Sequence, residues 1–215
     1  MQVTWYFDVI SPFAYLALGE VETLAETTPI VYKPILFAGL LKHHGQLGPA
    51  EIQTKRLHTY RLCIFEAQRR GVPFAFPPSH PFNPVRALRF LCEVGAESRI
   101  VRRVMEHIWR DGCDPNEEGS WGDLMQELKV RRRETKGDVS SMDLRGNTQE
   151  AVALGAFGVP TLAIGCKLFW GVDALPLARA YIDDPNIFER GEMARAATIE
   201  NPFSAPSRMP LVNLP

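Results

Sequence analysis

The sequence predicts an α/β domain whose sheet is divided by a helical insertion. Three observations carry this. The chain opens on an apolar, aromatic and β-branched run, Val3 to Ile10, followed by Ser11-Pro12 and a helical pattern. Its late part holds two short apolar runs, Thr161–Ile164 and Lys167–Trp170, around Gly165-Cys166, the pattern of an antiparallel hairpin. Between about residue 37 and about residue 146 the periodicity is mostly helical.

Residues 2–8 read as the first strand, and residues 12–26 as a helix on the spacing of Tyr15, Leu16, Leu18, Val21, Leu24 and Ala25. Residues 30–36 alternate as a second strand. The helical block holds segments at 51–70, ending at Gly71, and at 84–94, ending at Gly95. In residues 98–110, Ile100, Val101, Val104, Met105, Ile108 and Trp109 form one apolar stripe. Residues 121–130 follow the loop Asp114-Pro115-Asn116, and residues 148–156 form one more helix. Asp173–Ile182 reads as the final helix. Beyond Asp183-Asp184-Pro185 the pattern weakens, and Pro202, Pro206, Pro210 and Pro215 predict an extended or disordered tail. The domains expected are residues 1–37 with 147–183, a helical insertion at 38–146, and a C-terminal extension at 184–215. The two halves must meet in space, because neither half's strands bury both faces alone.

Composition sets outer bounds. The chain has 215 residues, 46% hydrophobic and 23% charged, with a net charge of -1. That suits a globular protein and steers nothing to nucleic acid or an anionic membrane. Asp8 breaks the first apolar run and no basic segment precedes it, so the expectation is a cytoplasmic chain with no targeting segment and no membrane span. Cys63, Cys92, Cys113 and Cys166 have no C-x-x-C or zinc spacing and read as buried or half-exposed thiols. His43 and His44 are adjacent and point apart, and no metal site is expected. Val130 to Arg133, with three successive arginines, reads as a solvated face.

Four places carry chemistry. Ser11 lies at a strand-to-helix junction, where backbone N–H groups and the helix dipole favour an anion. It reads either as an N-cap alone or as a cap that also holds a thiolate. Pro160 follows Phe157-Gly158-Val159. It reads as a trans proline opening an edge strand, or as a cis proline that turns the Val159 backbone toward a bound peptide. Asp173, after Phe169-Trp170-Gly171-Val172, reads as an N-cap, or as a carboxylate that holds an α-amino-carboxylate group. The insertion carries Lys42, Lys55, Asn83, Arg86 and Arg89. Strand, turn and helix early with Val-Pro-Thr late resembles the outline of a thioredoxin-like fold. The redox branch of that fold carries C-x-x-C in the turn. Here those positions are Ser11 and Ala14, so the chain has no dithiol to cycle at this turn.

The chain resembles the 2-hydroxychromene-2-carboxylate isomerases, grouped with kappa-class glutathione transferases and distantly with DsbA. The matching pieces are Tyr6-Phe7-Asp8 through Ser11-Pro12-Phe13-Ala14-Tyr15-Leu16-Ala17, Gly39-Leu40-Leu41-Lys42 with Gly45, and Phe82-Asn83. The late pieces are Phe157-Gly158-Val159-Pro160-Thr161 and Trp170-Gly171-Val172-Asp173-Ala174-Leu175. The resemblance implies a thioredoxin-like fold with an inserted all-helical domain, a homodimer, and glutathione as cofactor. On it, Ser11 holds the glutathione sulfur as thiolate, Val159 and Pro160 bind its backbone, and Trp170, Gly171, Val172 and Asp173 hold its γ-glutamyl end. Lys42, Asn83 and Lys55 lie toward a small aromatic carboxylate substrate. The implied reaction is the interconversion of 2-hydroxychromene-2-carboxylate and trans-o-hydroxybenzylidenepyruvate, or a close aromatic analogue. Gln46 stands where the family often has Asn, and His58, Leu62 and Phe65 stand where it commonly has Tyr, Asp and Arg. Two other readings stay open: a kappa-like glutathione transferase or peroxidase, and a non-catalytic thioredoxin-like module that docks peptides against Val159.

Overall fold

In a computed structural model that describes residues 2–129 and 139–202, the first apolar run forms strand β1, Val3–Phe7. All five of its residues are buried, as a strand covered on both faces requires. Pro12 cannot donate to a ladder but fits a first helical turn, so the chain passes into helix α1, Pro12–Ala25. Strand β2, Ile30–Pro34, returns parallel to β1, with Val3 opposite Ile30 and Phe7 opposite Pro34. Strand β3, Thr161–Ile164, pairs antiparallel on the other side of β1, with Tyr6 opposite Thr161. Strand β4, Lys167–Trp170, completes the mixed sheet in the order β2-β1-β3-β4. This topology brings the ends of β1, β2 and β4 and the start of β3 to one edge.

Between the halves of the sheet run α2 (Phe37–His44), α3 (Gln53–Arg70), α4 (Val85–Glu93), α5 (Ser98–Trp109), α6 (Glu118–Leu128) and α7 (Val139–Ala153). After β4 a 3-10 turn, Val172–Ala174, leads into α8, Leu175–Asp183. A second 3-10 turn, Ile187–Glu189, and α9, Gly191–Ala196, follow. Residues 1–179 group into one compact unit and residues 180–215 into a second, within which Tyr181 stacks on Phe188. Among the described residues no helix is long and apolar enough to cross a membrane.

Several expectations need correcting. Helix α7 begins at Val139, well before residue 148. Its inward residues are sparse, with Leu144 and Ala151 buried among exposed polar neighbours, so the apolar stripe is too narrow to read. Helix α6 begins at Glu118 because the Glu117 carboxylate caps it, accepting from the Gly119 and Ser120 N–H groups. Asp173 lies inside a 3-10 turn capped by Gly171, and is not the N-cap of the following helix. That helix is not the last, since residues 187–196 are turn and helix rather than extended tail. Residues 203–215 of the expected tail, and the basic run Val130 to Arg133, lie outside the described residues.

The sheet has two distinct faces. Tyr6 packs with Ile35, Leu40, Ala151, Ala156, Val159 and Ala163 in one buried cluster. On the other face Trp5 stacks on Phe7 at 4.5 Å and meets Tyr32 edge-on at 5.3 Å. Full burial of Trp5 and Phe7 contributes roughly 1.5–3 kcal/mol each. Helix α7 is tied to the sheet by polar contacts. The Tyr6 hydroxyl donates to Glu150 Oε1 at 2.6 Å, and Lys33 pairs with the other oxygen of the same carboxylate. Thr148 Oγ1 accepts the Leu36 N–H at 3.0 Å and donates to the Leu144 carbonyl. A Cβ on Gly39 would stand 2.8 Å from Thr148 Cγ2, so the α2–α7 approach needs glycine there. Helix α3 leaves an apolar stripe in solvent, including Leu57, Leu62, Ile64 and Phe65.

Thr148→Val keeps the shape against Gly39 and removes the acceptor for the Leu36 N–H. We expect a loss of about 1–3 kcal/mol in folding free energy, read from the urea midpoint, with an unchanged m-value.

Candidate active site at the Ser11 turn

Ser11 leaves β1 through the turn of residues 8–11 and caps α1. Its backbone is extended (φ -90°, ψ 113°), and its Oγ accepts the Ala14 N–H at 3.3 Å. The same oxygen lies 3.5 Å from the Val159 carbonyl, at the long limit of a hydrogen bond. Ser11 therefore caps α1, and its hydroxyl faces the Val159 carbonyl. Only 8% of the residue is exposed.

Four hydrogen bonds clamp the two peptide planes before Ser11. In the Val9–Ile10 peptide, the carbonyl accepts from Trp109 Nε1 at 2.8 Å and the N–H donates to Asp8 Oδ1 at 3.0 Å. In the Ile10–Ser11 peptide, the carbonyl faces His80 Nε2 at 2.9 Å and the N–H donates to the Asp8 carbonyl at 3.1 Å. Asp8 Oδ2 also accepts the Phe37 N–H at 2.8 Å, joining the turn to the start of α2. Asp8 is fully buried, and that burial raises its carboxyl pKa to about 7 against the two backbone N–H bonds that lower it. Trp109 and His80 sit in an aromatic nest with Phe74, Phe76 and Phe82.

Opposite Ser11, the Val159–Pro160 peptide is cis, as is His80–Pro81. The trans reading of Pro160 is thus set aside. The Pro160 carbonyl accepts the Gly171 N–H at 2.9 Å, which carries the β3–β4 pairing one step past the ladder. Trp170 is half exposed and meets Phe157 at 5.1 Å. A Cβ on Gly158 would stand 2.2 Å from Trp170 Nε1, so the indole lies directly over that backbone. Gly171 adopts φ 92°, and a Cβ there would meet Asp173 Oδ1 at 2.4 Å. His44 Nε2 lies 3.0 Å from the Ala156 carbonyl and ties the end of α2 to the loop that leads into Pro160. Ser11, Val159 and Pro160 thus come together, with Trp170, Gly171, Val172 and Asp173 following on the adjacent strand end.

The insertion's candidates lie on α2, on α3 and at the start of α4. Lys42, in the last turn of α2, and Lys55, in the first turns of α3, are exposed and make no hydrogen bond or ion pair with the turn among the described residues. Asn83 Oδ1 accepts the Val85 N–H at 3.1 Å at the start of α4, so that oxygen is engaged in the helix start. Asn83 lines a cavity of about 400 Å³ with Arg86, Arg89, Phe90 and Trp121. Arg86 there grips Glu118 with both arms and stacks over Trp121. His58, Leu62 and Phe65 lie on the exposed side of α3. Cys63 and Cys92 are buried, and burial pushes both thiols up to about 12, which keeps them protonated. Among the described residues no cluster of His, Cys, Asp and Glu could hold a metal.

The sequence reasoning missed Asp8, His44, Tyr60, His80 and Trp109 as parts of the site. Asp8 carried the one legible signal, a carboxylate inside a run of buried residues, where an acid demands hydrogen-bond partners. The other four lie far along the chain from what they hold.

Asp8 makes stability depend on pH. Its folded pKa near 7 lies above the ordinary carboxyl value of about 3.9. Between those values the folded chain keeps a proton that the unfolded chain has lost. The Asp8 contribution is therefore present below about pH 4 and is lost as pH rises toward 7. Asp8→Asn removes that slope. Denaturant titrations of both proteins from pH 4 to 7 should show wild type losing on the order of 2–4 kcal/mol relative to the variant.

The family model that matches is the DSBA-like thioredoxin domain, over residues 2–183. The chain is 30% identical over 186 residues to a 2-hydroxychromene-2-carboxylate isomerase of Pseudomonas putida, covering 81% of this chain and 91% of that one. It is 24% identical over 208 residues to glutathione S-transferase kappa 2 of Caenorhabditis elegans, covering 85% and 92%. The fold is similar to a solved 2-hydroxychromene-2-carboxylate isomerase, with a TM-score of 0.74 at 23% identity over 93% of this chain and all of the other. With a clamped Ser11 turn facing a cis-proline loop, and a family match spanning the whole sheet, the chain belongs to the DSBA-like thioredoxin domain family.

Proposed function

We propose that this protein is a glutathione-dependent isomerase of 2-hydroxychromene-2-carboxylate or a close aromatic analogue. The observation that carries the reading is the hydroxyl of Ser11, capping α1 and facing the Val159 carbonyl, where a redox relative needs a thiol. Relatives named as isomerases of this substrate and as kappa glutathione transferases support it.

The residues present fit glutathione. The Ser11 hydroxyl holds its proton only in a long contact, and among the described residues the Val159 N–H has no acceptor. Ser11 Oγ–H and the Phe13 N–H, with the dipole of α1 behind them, hold a sulfur as thiolate, since donors at a helix N-terminus favour the anion. Val159 offers its backbone N–H to the tripeptide, strand to strand. Asp173 carries the carboxylate for the γ-glutamyl ammonium, and Trp170 walls that end. When bound, glutathione supplies a nucleophilic sulfur for reversible addition to the substrate's enone carbon. Lys42 neutralises the substrate carboxylate and the oxygen that gains charge during addition. None of the four cysteines takes part. A pair of chains belongs to this reading, and the apolar stripe of α3 is a face that a second copy covers.

The test is the absorbance of 2-hydroxychromene-2-carboxylate with purified protein, with and without glutathione. We expect an approach to the benzylidenepyruvate equilibrium only with glutathione. Glutathione binding without turnover moves the substrate to another electrophile, as in a kappa-type transferase. No glutathione binding removes the reading.

Ser11→Ala should keep the fold and raise the pKa of bound glutathione by about 1 unit or more, read from thiolate absorbance near 240 nm. An unchanged titration would remove Ser11 from sulfur activation. Replacing Cys63, Cys92, Cys113 and Cys166 together with Ser should leave turnover per folded molecule within about twofold of wild type in the same assay. A folded but inert variant would return a thiol to the mechanism.

A further inference from the structure

His80 makes a hydrogen-bond network whose protons do not add up for a neutral ring. Its Nε2 lies 2.9 Å from the Ile10 carbonyl and its Nδ1 lies 2.8 Å from the Tyr60 hydroxyl. That hydroxyl lies 2.7 Å from the carbonyl of His80 itself. Carbonyls only accept, and a tyrosine has one proton to give. To satisfy both carbonyls, Nε2 must carry a proton and Tyr60 must donate to the His80 carbonyl. Nδ1 then faces an oxygen whose proton is spent, and it bonds only by donating. All three contacts therefore need three protons. An imidazolium with Tyr60 supplies three; a neutral imidazole supplies two.

We propose that His80 is a proton-dependent positioning residue for Ser11: locked by Tyr60, it fixes the Ile10–Ser11 peptide, and holds it more firmly when the ring carries two protons. The carbonyl it grips belongs to the peptide plane that places Ser11 at the head of α1. Neutral His80 must give up a contact. Nε2 keeps its proton on the Ile10 carbonyl, and Tyr60 turns from the His80 carbonyl to donate to Nδ1.

The surroundings set the range in which this acts. Burial pushes the His80 pKa below the ordinary 6.5, while the bond to Ile10 pushes it up. From α3 the group facing it is Tyr60, on which Arg56 and Cys63 act. From the turn the nearest ionisable group is Asp8, bonded to the Ile10 N–H. From α5 comes the ring of Trp109, and from the segment between α3 and α4 come those of Phe76 and Phe82, none of which carries charge. An anion at the Ser11 turn favours the imidazolium, and the imidazolium favours the anion by the same factor. This last link rests on the glutathione reading; the hold on the turn does not.

The experiment is a pH titration by NMR of the full chain, with 15N-labelled histidine and backbone, first without ligand. Nε2 is expected to stay protonated throughout, and the amide signals of Ser11 and Ala14 to move with the midpoint of His80. Because Asp8 also titrates near the turn, the titration is repeated on His80→Gln, which keeps a side-chain donor and loses the charge. There the His80-linked movement should vanish and only the Asp8 component remain. Tyr60→Phe should lower the His80 midpoint by about 0.5 unit or more. An unprotonated Nε2, or Ser11 and Ala14 movements unchanged in His80→Gln, overturns the proposal. Glutathione is then added. A rise in the His80 midpoint supports the link to the bound anion. Saturable binding with an unmoved midpoint removes that link alone. If glutathione does not bind, the functional reading falls, while the ligand-free titration has already decided the role of His80.

Discussion

Everything at this site depends on the clamp around residues 9–11. A tight turn between a buried strand and a helix leaves its peptide groups away from water, where an unpaired N–H or carbonyl costs about 1–3 kcal/mol. Here both consecutive peptide planes are held at both ends. Asp8 satisfies the N–H groups of Ile10 and Ser11, and Trp109 and His80 meet the carbonyls of Val9 and Ile10. With those planes fixed, the Ser11 hydroxyl and the first N–H groups of α1 point where the helix start dictates. A site that stabilises an anion by oriented dipoles needs this rigidity, since a turn that reorients on binding spends part of its electrostatic advantage.

The clamp also gives the helical insertion a purpose beyond shaping a cavity. His80 and Trp109, with Tyr60 behind His80, all come from residues 38–146, yet they act on the turn of the sheet half. The insertion is thus part of the machinery that holds Ser11, and a change in its aromatic nest reaches the site through two carbonyls. Asp8 works the same way toward α2, because its second oxygen holds the Phe37 N–H. The helix that starts there ends at His44, which holds the Ala156 carbonyl ahead of the cis-proline loop. The two halves of the site are therefore braced through one short helix.

The opposing loop depends on close approach. Trp170 lies on the Gly158 backbone, and Asp173 curls back to Gly171, so any side chain at either glycine collides. Antiparallel pairing of β3 with both β1 and β4 places Pro160 and Trp170 at the same sheet edge as Ser11. Residues separated by about 150 positions meet because a strand returning antiparallel puts its beginning beside its neighbour's end.

The sequence by itself determined the elements and the half of the site that is local. Apolar runs, Ser-Pro at a helix start, and glycines after helical stripes locate β1, α1, α3, α4, α5 and the β3–β4 hairpin, because these depend on period and turn chemistry within a few residues. It also determined that the turn carries Ser11 and Ala14 rather than thiols. Only the tertiary structure decided what holds Ser11. The His80 and Trp109 contacts join residues about 70 and 100 positions apart, and neither side chain belongs to a local pattern that announces it. The early start of α7 was hidden because so little of its surface is buried. The Asn83 amide carries no local signal for its partner, and only the structure shows its Oδ1 accepting the Val85 N–H at the start of α4. Local periodicity reports which face of an element is buried; it carries no information on which distant group will meet a peptide plane, and this site is built on such meetings.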